Sequence, residues 1–215
     1  MGESGLQHWV CQLLFGLLKS FFDSAGQQVV VGGNQFFYVK EGDNTLRVAP
    51  DVYVIADDNT PIDRIKSWKL WEHGGKGPAL AIEVVSDEYE KDYDPEQLAL
   101  YQRLGVSELL RYDPEHYMHP RALKFGPRQL LTHWVRDERG LLVEKPLVNK
   151  GCARSAVFDF FFVHVPSRSL RLGVGPSGRS LWPTETERAT AEAERATRAE
   201  EENILLREEL DRLRK

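Results

Sequence analysis

Cysteine is scarce in this sequence: Cys11 and Cys152 are the whole complement of 215 residues. A disulfide framework is not expected, and neither cysteine has partners at metal-binding spacing. Cys11 lies in an apolar, helix-like stretch and reads as a small core residue. Long apolar runs are missing too. No segment approaches the ~18 apolar residues that a membrane span needs. The first residues lack a basic stretch followed by an unbroken apolar run, so no secretory leader is expected. A soluble, cytoplasmic protein without a membrane partner is therefore expected. A basic excess is also absent. The 28 Lys and Arg against 33 Asp and Glu leave a net charge of −5. Nucleic-acid binding usually leaves a basic footprint, so bulk charge gives it no support. Much of the acidity is local, however. Residues 184–215 hold ten Asp/Glu and seven Lys/Arg, a net of −3, which leaves −2 on the body and room for a basic groove.

What is present is an α/β pattern. Leu6, Trp9, Val10, Leu13, Leu14, Leu17, Leu18, Phe21 and Phe22 recur at steps of three and four, the stripe of an amphipathic helix that Gly26 ends. QVVV and QFFYVK, separated by GGN, read as a β-hairpin. LRVAPDVYVIA reads as a strand pair or one bent strand broken at Pro50. Residues 57–78 form a long polar connection. ALAIEVVS is almost continuously apolar, as a strand buried on both faces would be. Asp94 and Pro95 suit the start of a helix, and Gly105 suits its end. ELLRYD follows as a strand, completing a strand–helix–strand unit. After Pro114 the pattern is all-β, with ALKF, QLLTHWV, LLVEK, DFFFVHV and SLRLGV as short strands. Three segments are expected: a domain over 1–172, a Gly/Pro-rich linker over 173–183, and a charged helical tail over 184–215. In the tail, Ala196, Ala199, Asn203, Leu206, Leu210 and Leu213 form a short heptad seam. Asn203 takes an a position, where a buried Asn favours a parallel two-stranded coil, so a homodimer through this helix is one reading. A solvated helix is the other.

The feature that carries chemistry is a polar exception to an apolar rule. Glu83 sits inside ALAIEVV, and an ionised carboxylate in a buried strand is costly unless paired or metal-bound. Asp51 heads the strand-like DVYVIA directly after Pro50. Two carboxylates on neighbouring strands can converge on one Mg²⁺ or Mn²⁺, leaving positions open for water and a phosphate oxygen. Such an ion polarises a phosphodiester and lowers the pKa of bound water. Spacing alone leaves the structural reading ahead, because Asp after Pro is often a turn residue and a strand Glu often meets an Arg.

The strings APDVYVI, SWKLWEHGGKGPALAIEVVS and LALYQRLGVSELLRYDP resemble the Uma-type family of restriction endonuclease domains, within the PD-(D/E)XK nuclease superfamily. The resemblance is specific from about Phe36 to Pro114 and looser through the later strands. The Ala/Glu/Arg-rich tail also resembles tails of that family. The resemblance implies a restriction-endonuclease-like mixed central sheet flanked by helices, and metal-dependent hydrolysis of DNA. By motif, Asp51 matches the first acid and Glu83 the acid of the E-V-x-S strand, with the Val84 carbonyl as a further metal ligand. One position departs. The family's lysine stands four residues before the tyrosine of a K-x-x-x-Y pattern. Here that tyrosine is Tyr101 and the position holds Gln97, which can donate a hydrogen bond but carries no charge. Lys91 is the alternative cation, with a solvated loop lysine as its plainer reading. Tyr93 stands where the family has an Asp, with Asp92 and Asp94 beside it.

Other candidates are weaker. The six histidines are scattered, and His116 and His119 share a turn that reads as an exposed loop. Ser86 has no nearby His and suits a cap or a hydrogen bond to the site. GVGPSG lacks the lysine of a phosphate-binding loop. Trp68 and Trp71 with Lys66 and Lys69 could contact DNA, but Trp at this spacing more often packs. Three accounts remain: an active endonuclease, a nuclease-fold module for DNA or protein binding that has lost cleavage, and a toxin–antitoxin-like interaction protein.

Overall fold

The computed structural model describes residues 5–86, 88–122 and 124–214, with the backbone alone at Asp211. Helix α1 (Gly5–Ala25) is followed by β1 (Val29–Gly32), β2 (Phe36–Lys40), β3 (Asp43–Val48), β4 (Val52–Ala56), β5 (Ser67–Lys69) and β6 (Leu80–Val84). Then come α2 (Tyr89–Asp92), α3 (Pro95–Leu104), β7 (Glu108–Tyr112), β8 (Arg121–Ala122), β9 (Gly126–Pro127), β10 (Leu131–Arg136) and β11 (Leu142–Glu144). The chain closes with β12 (Cys152–Arg154), β13 (Phe161–Val165), β14 (Ser169–Val174), β15 (Ser180–Leu181) and α4 (Glu185–Leu213).

The central sheet is mixed and runs β1-β4-β6-β7-β10-β11. Only β6 and β7 pair in parallel, and they are joined through α3 as a parallel pair requires. Asp94 caps α3 by accepting from the Glu96 N–H at 2.9 Å, and Gly105 closes it at φ 82°. Side chains alternate across the sheet, so each strand feeds two cores. Val52 and Val54 of β4 with Leu80, Ile82 and Val84 of β6 pack against Val10, Leu14, Leu17 and Phe22 of α1 and against β13 and β14. Tyr53, Ile55 and Ala81 face the other way, onto Tyr101 and Leu104 of α3 and onto Phe37 and Trp68 of the small β3-β2-β5 sheet. Each large apolar side chain so buried contributes about 1.5–3 kcal/mol before entropy is counted. The alternation places odd-numbered residues of β4 and β6 on the α3 side, and Glu83 is one of them.

The β1–β2 hairpin expected from QVVV-GGN-QFFYVK does not form. β1 pairs antiparallel with β4, while β2 pairs with β3 and β5 in a different sheet. The turn folds onto the chain at Pro50 instead. The Asn34 N–H donates to the Pro50 carbonyl at 2.8 Å, and a Cβ on Gly33 would stand 2.3 Å from the Asp51 carbonyl oxygen. Glycine is required there by that close approach. The strand expected over ALKF is also reduced. Ala122 ends β8, Leu123 lies outside the described residues, and Lys124 and Phe125 form a turn.

The stretch 173–183, expected as a linker, carries the end of β14 and all of β15. Trp182 is held in place: its indole N–H donates to Ser20 Oγ at 2.9 Å and its ring meets Phe21 edge-on. The chain divides between Trp182 and Pro183. Beyond that point α4 is a unit in itself, opened by a capping box between Thr184 and Glu187. Ile204, Leu206, Leu210 and Leu213 are exposed along it. Among the described residues, no helix is long and apolar enough to cross a membrane.

Candidate active site

The antiparallel register of β4 with β6 pairs Val52 with Ile82 and Tyr53 with Ala81. Continued one step, it sets Asp51 directly opposite Glu83. Both side chains emerge on the α3 face, at the end of the strands where the sheet opens. Asp51 is fixed by the backbone across from it, since the Val84 N–H donates to its Oδ2 at 2.7 Å. Tyr101 of α3 donates its hydroxyl to Glu83 Oε1. Gln7 of α1 closes the arrangement from the other side. Its Nε2 lies 3.3 Å from each Asp51 oxygen and 3.0 Å from the Val84 carbonyl oxygen.

Burial, first, and the negative charge of Asp51, second, hold the Glu83 carboxyl well above the usual carboxylate range. A hydrogen bond with the Asp51 carboxyl and the charge of Asp92 push the same way, and the Tyr101 bond opposes them. Asp92 is a third acid in the setting. It is buried, accepts from the Ser86 N–H at 3.1 Å, and has its pKa raised to about 6, mainly by burial. Three carboxyl groups thus crowd one end of the sheet. Among the described residues, no lysine or arginine makes an ion pair with Glu83.

Glu108, one strand away, shows how a structural buried Glu is treated in this protein. It is fully buried, and His133 Nε2, Ser155 Oγ and the Ala156 N–H surround it at 2.6, 2.6 and 3.2 Å. Every oxygen has a neighbour that can donate. Glu83 instead has the Tyr101 hydroxyl as its donor and faces another acid, Asp51.

The acids open on a cleft of about 380 Å³, whose wall also includes Arg47, Lys91 and Gln97. Gln97 is half-buried there, and Lys91 is exposed, with its Nζ 3.5 Å from Glu88 Oε2. Arg47, from β3, lies 4.5 Å over the Phe36 ring and donates to the Tyr38 hydroxyl at 3.3 Å. The five residues read from the sequence, Asp51, Glu83, Val84, Lys91 and Gln97, therefore meet at one end of the sheet: four line the cleft, and Val84 presents its backbone to Asp51 and Gln7. Trp68 does not join them. It is buried, with its indole N–H on the Lys76 carbonyl at 2.8 Å.

Sequence reasoning missed Gln7 and Arg111, and named Asp92 only as a neighbour of Tyr93, where the family has an Asp. Gln7 was visible in principle: 7, 10, 11 and 14 form one helical face, and the other three are buried apolar residues. Arg111 pairs in register with Glu83 from β7, yet its guanidinium turns to the Asp92 carbonyl at 2.8 Å and stacks 4.0 Å from the Tyr93 ring. It holds the turn that carries Asp92.

The central sheet is mixed, and its register opposes two acids at the ends of adjacent strands. The family model described as "Uma2: Putative restriction endonuclease" matches residues 1–119, more than half of the chain, and the protein belongs to that family. The match takes in α1, ahead of the Phe36–Pro114 stretch, and ends before the later strands. Among solved structures, a "putative nuclease belonging to DUF820" from Anabaena variabilis is 12% identical, with 79% of this chain and 78% of that chain covered and a TM-score of 0.46. No curated protein matches the chain.

Proposed function

We propose that this protein is a Mg²⁺- or Mn²⁺-dependent endonuclease that hydrolyses DNA phosphodiester bonds. The observation that carries the proposal is the cluster formed by the Asp51 and Glu83 carboxyls and the Val84 carbonyl, with an N–H donor already drawn in among its oxygens. The donor set fits a hard divalent ion, being all oxygen and rich in negative charge. Among the described residues no group of three or more His, Cys, Asp or Glu side chains is placed to hold a metal ion, so the proposal rests on two carboxyls and one backbone carbonyl. When bound, the ion supplies charge to the phosphate and acidity to a water. Asp51 and Glu83 would hold it; the Val84 N–H keeps Asp51 aimed, and the Tyr101 hydroxyl favours the ionised form of Glu83. Arg47 and Lys91, on the wall of the same cleft, meet the phosphate backbone.

Gln97 favours a second reading: a nuclease-fold module that binds DNA or a protein with little cleavage. The amide lies in the cleft wall where the family carries a lysine. Losing one preorganised charged donor costs about 3–4 kcal/mol of transition-state stabilisation, or roughly 10²–10³ in rate. A plasmid-nicking assay in Mg²⁺ and Mn²⁺ separates the readings. Nicking by the wild type that Glu83→Ala abolishes, and that Gln97→Lys accelerates, supports the enzyme. Silence from the wild type with activity gained by Gln97→Lys rejects it in favour of the module.

The tail belongs to the same proposal as a homodimer contact. Its seam of Asn203, Leu206, Leu210 and Leu213 is exposed, as a seam awaiting a second copy would be. Truncation after Pro183 then converts a dimer to a monomer in solution. A full-length chain that is already monomeric at the same concentration rejects the dimer.

A further inference from the structure

Gln7 is a buried amide with its nitrogen in an unusual place. Three oxygens surround it: both of the Asp51 carboxyl at 3.3 Å and the Val84 carbonyl at 3.0 Å. Two of these groups are the ones proposed above to hold the divalent ion. In an octahedral shell with Mg–O of about 2.0–2.1 Å, neighbouring ligand oxygens lie about 3 Å apart. The Gln7 Nε2 atom therefore stands from Val84 and Asp51 at the spacing of one octahedral vertex from its neighbours. These are hydrogen-bond distances in the metal-free site, and the same separations would suit an oxygen at that place in the shell of an ion held by Asp51 and Val84.

A glutamine can exchange the two ends of its amide by turning about its last side-chain bond. Nε2 suits the metal-free site, where surplus oxygens need donors. Oε1 suits the loaded site, where a cation draws oxygens together.

We infer that Gln7 is a further ligand of the divalent ion, its amide donating to Asp51 and Val84 when the site is empty and turning over to present Oε1 when the ion binds. This rests on the metal reading of Asp51 and Glu83. The N-terminal helix is thereby tied to the occupied site, and α1 supplies a ligand as well as apolar side chains to one of the cores.

The competing role is purely structural: Gln7 holds Asp51 by N–H donation and never touches the ion. Two substitutions separate the roles. Gln7→Leu removes donor and acceptor together. Gln7→Glu removes the donors and keeps an oxygen of higher charge. The measurement is the Mn²⁺ dissociation constant of the full chain, read from the EPR signal of free Mn²⁺, for wild type, Glu83→Ala, Gln7→Leu and Gln7→Glu. The expected result is binding by the wild type, loss in Glu83→Ala, about tenfold weakening in Gln7→Leu and several-fold tightening in Gln7→Glu. A Gln7→Leu affinity within twofold of wild type overturns the inference, as does weaker binding by Gln7→Glu. No Mn²⁺ bound by the wild type, or equal binding by Glu83→Ala, fails earlier: it removes the metal reading itself. Thermal melts of Gln7→Glu with and without Mn²⁺ give a second readout. A larger metal-induced rise in melting temperature than in wild type is expected, and an equal or smaller rise counts against ligation.

Discussion

Tyr101, in the second turn of α3, donates its hydroxyl to Glu83 at the end of β6, and both side chains are buried. The bond favours the ionised form of a carboxyl whose pKa burial and the charge of Asp51 push upward. Helix and strand are thus linked at the group whose charge the proposed chemistry needs.

Tyr101→Phe keeps the ring in the core and removes the donor. Glu83 then titrates higher still, and the pH at which Mn²⁺ binding is half complete moves upward. At pH 7 the affinity falls roughly ten- to a hundredfold, as expected for a buried hydrogen bond to a charged group worth about 1.5–3 kcal/mol. Mn²⁺ titrations across pH check this. An unmoved midpoint contradicts it.

Asp92 makes the metal-free protein sensitive to pH. Its carboxyl titrates at about 6 in the fold, pushed up mainly by burial, against 3.8 as an ordinary Asp. A raised folded pKa favours the protonated form. The associated stability is fully present below about pH 3.8 and is lost as pH rises through about 6. Across that window the loss is about 3 kcal/mol. Asp92→Asn keeps an oxygen for the Ser86 N–H and removes the charge. It is expected to raise stability by about 2–3 kcal/mol at pH 8 and to change little at pH 3.5. Urea melts of the two proteins at both pH values give the answer, and a variant less stable at pH 8 counts against it.

Asp113 and Arg128 form a two-pronged ion pair at 2.7 and 2.8 Å with both side chains buried, and Tyr93 adds its hydroxyl to Asp113 at 2.8 Å. Tyr93 follows Asp92 directly, so this pair anchors the turn beside the site. Arg128→Met leaves Asp113 charged and without its cation. The expected cost is about 3 kcal/mol in thermal or urea unfolding. A cost under about 1 kcal/mol would show that water reaches Asp113 easily.

Local pattern revealed some of this arrangement and concealed the rest, for identifiable reasons. Glu83 stood out because a charge interrupts an otherwise apolar strand. Gln7 obeys the same rule on a helix, but exposed Trp9 and half-buried Leu6 blur the stripe it interrupts. Asp92 was hidden among Glu88, Glu90, Asp94 and Glu96, a run that reads as solvated throughout. Only the fold shows which of those acids turns inward. The Gly32-Gly33-Asn34 turn is compatible with a hairpin. It was overruled by β4, whose pairing with β1 is non-local and leaves no mark in the turn itself. The α3 caps, by contrast, are short-range hydrogen bonds between residues adjacent in sequence, and the residue types announce them.

The most direct test is anomalous scattering from crystals grown or soaked with Mn²⁺. The predicted result is a peak about 2.2 Å from oxygens of both Asp51 and Glu83 and from the Val84 carbonyl oxygen. Mn²⁺ bound elsewhere, with the two carboxyl groups still sharing a hydrogen bond, would contradict the metal role assigned to this pair.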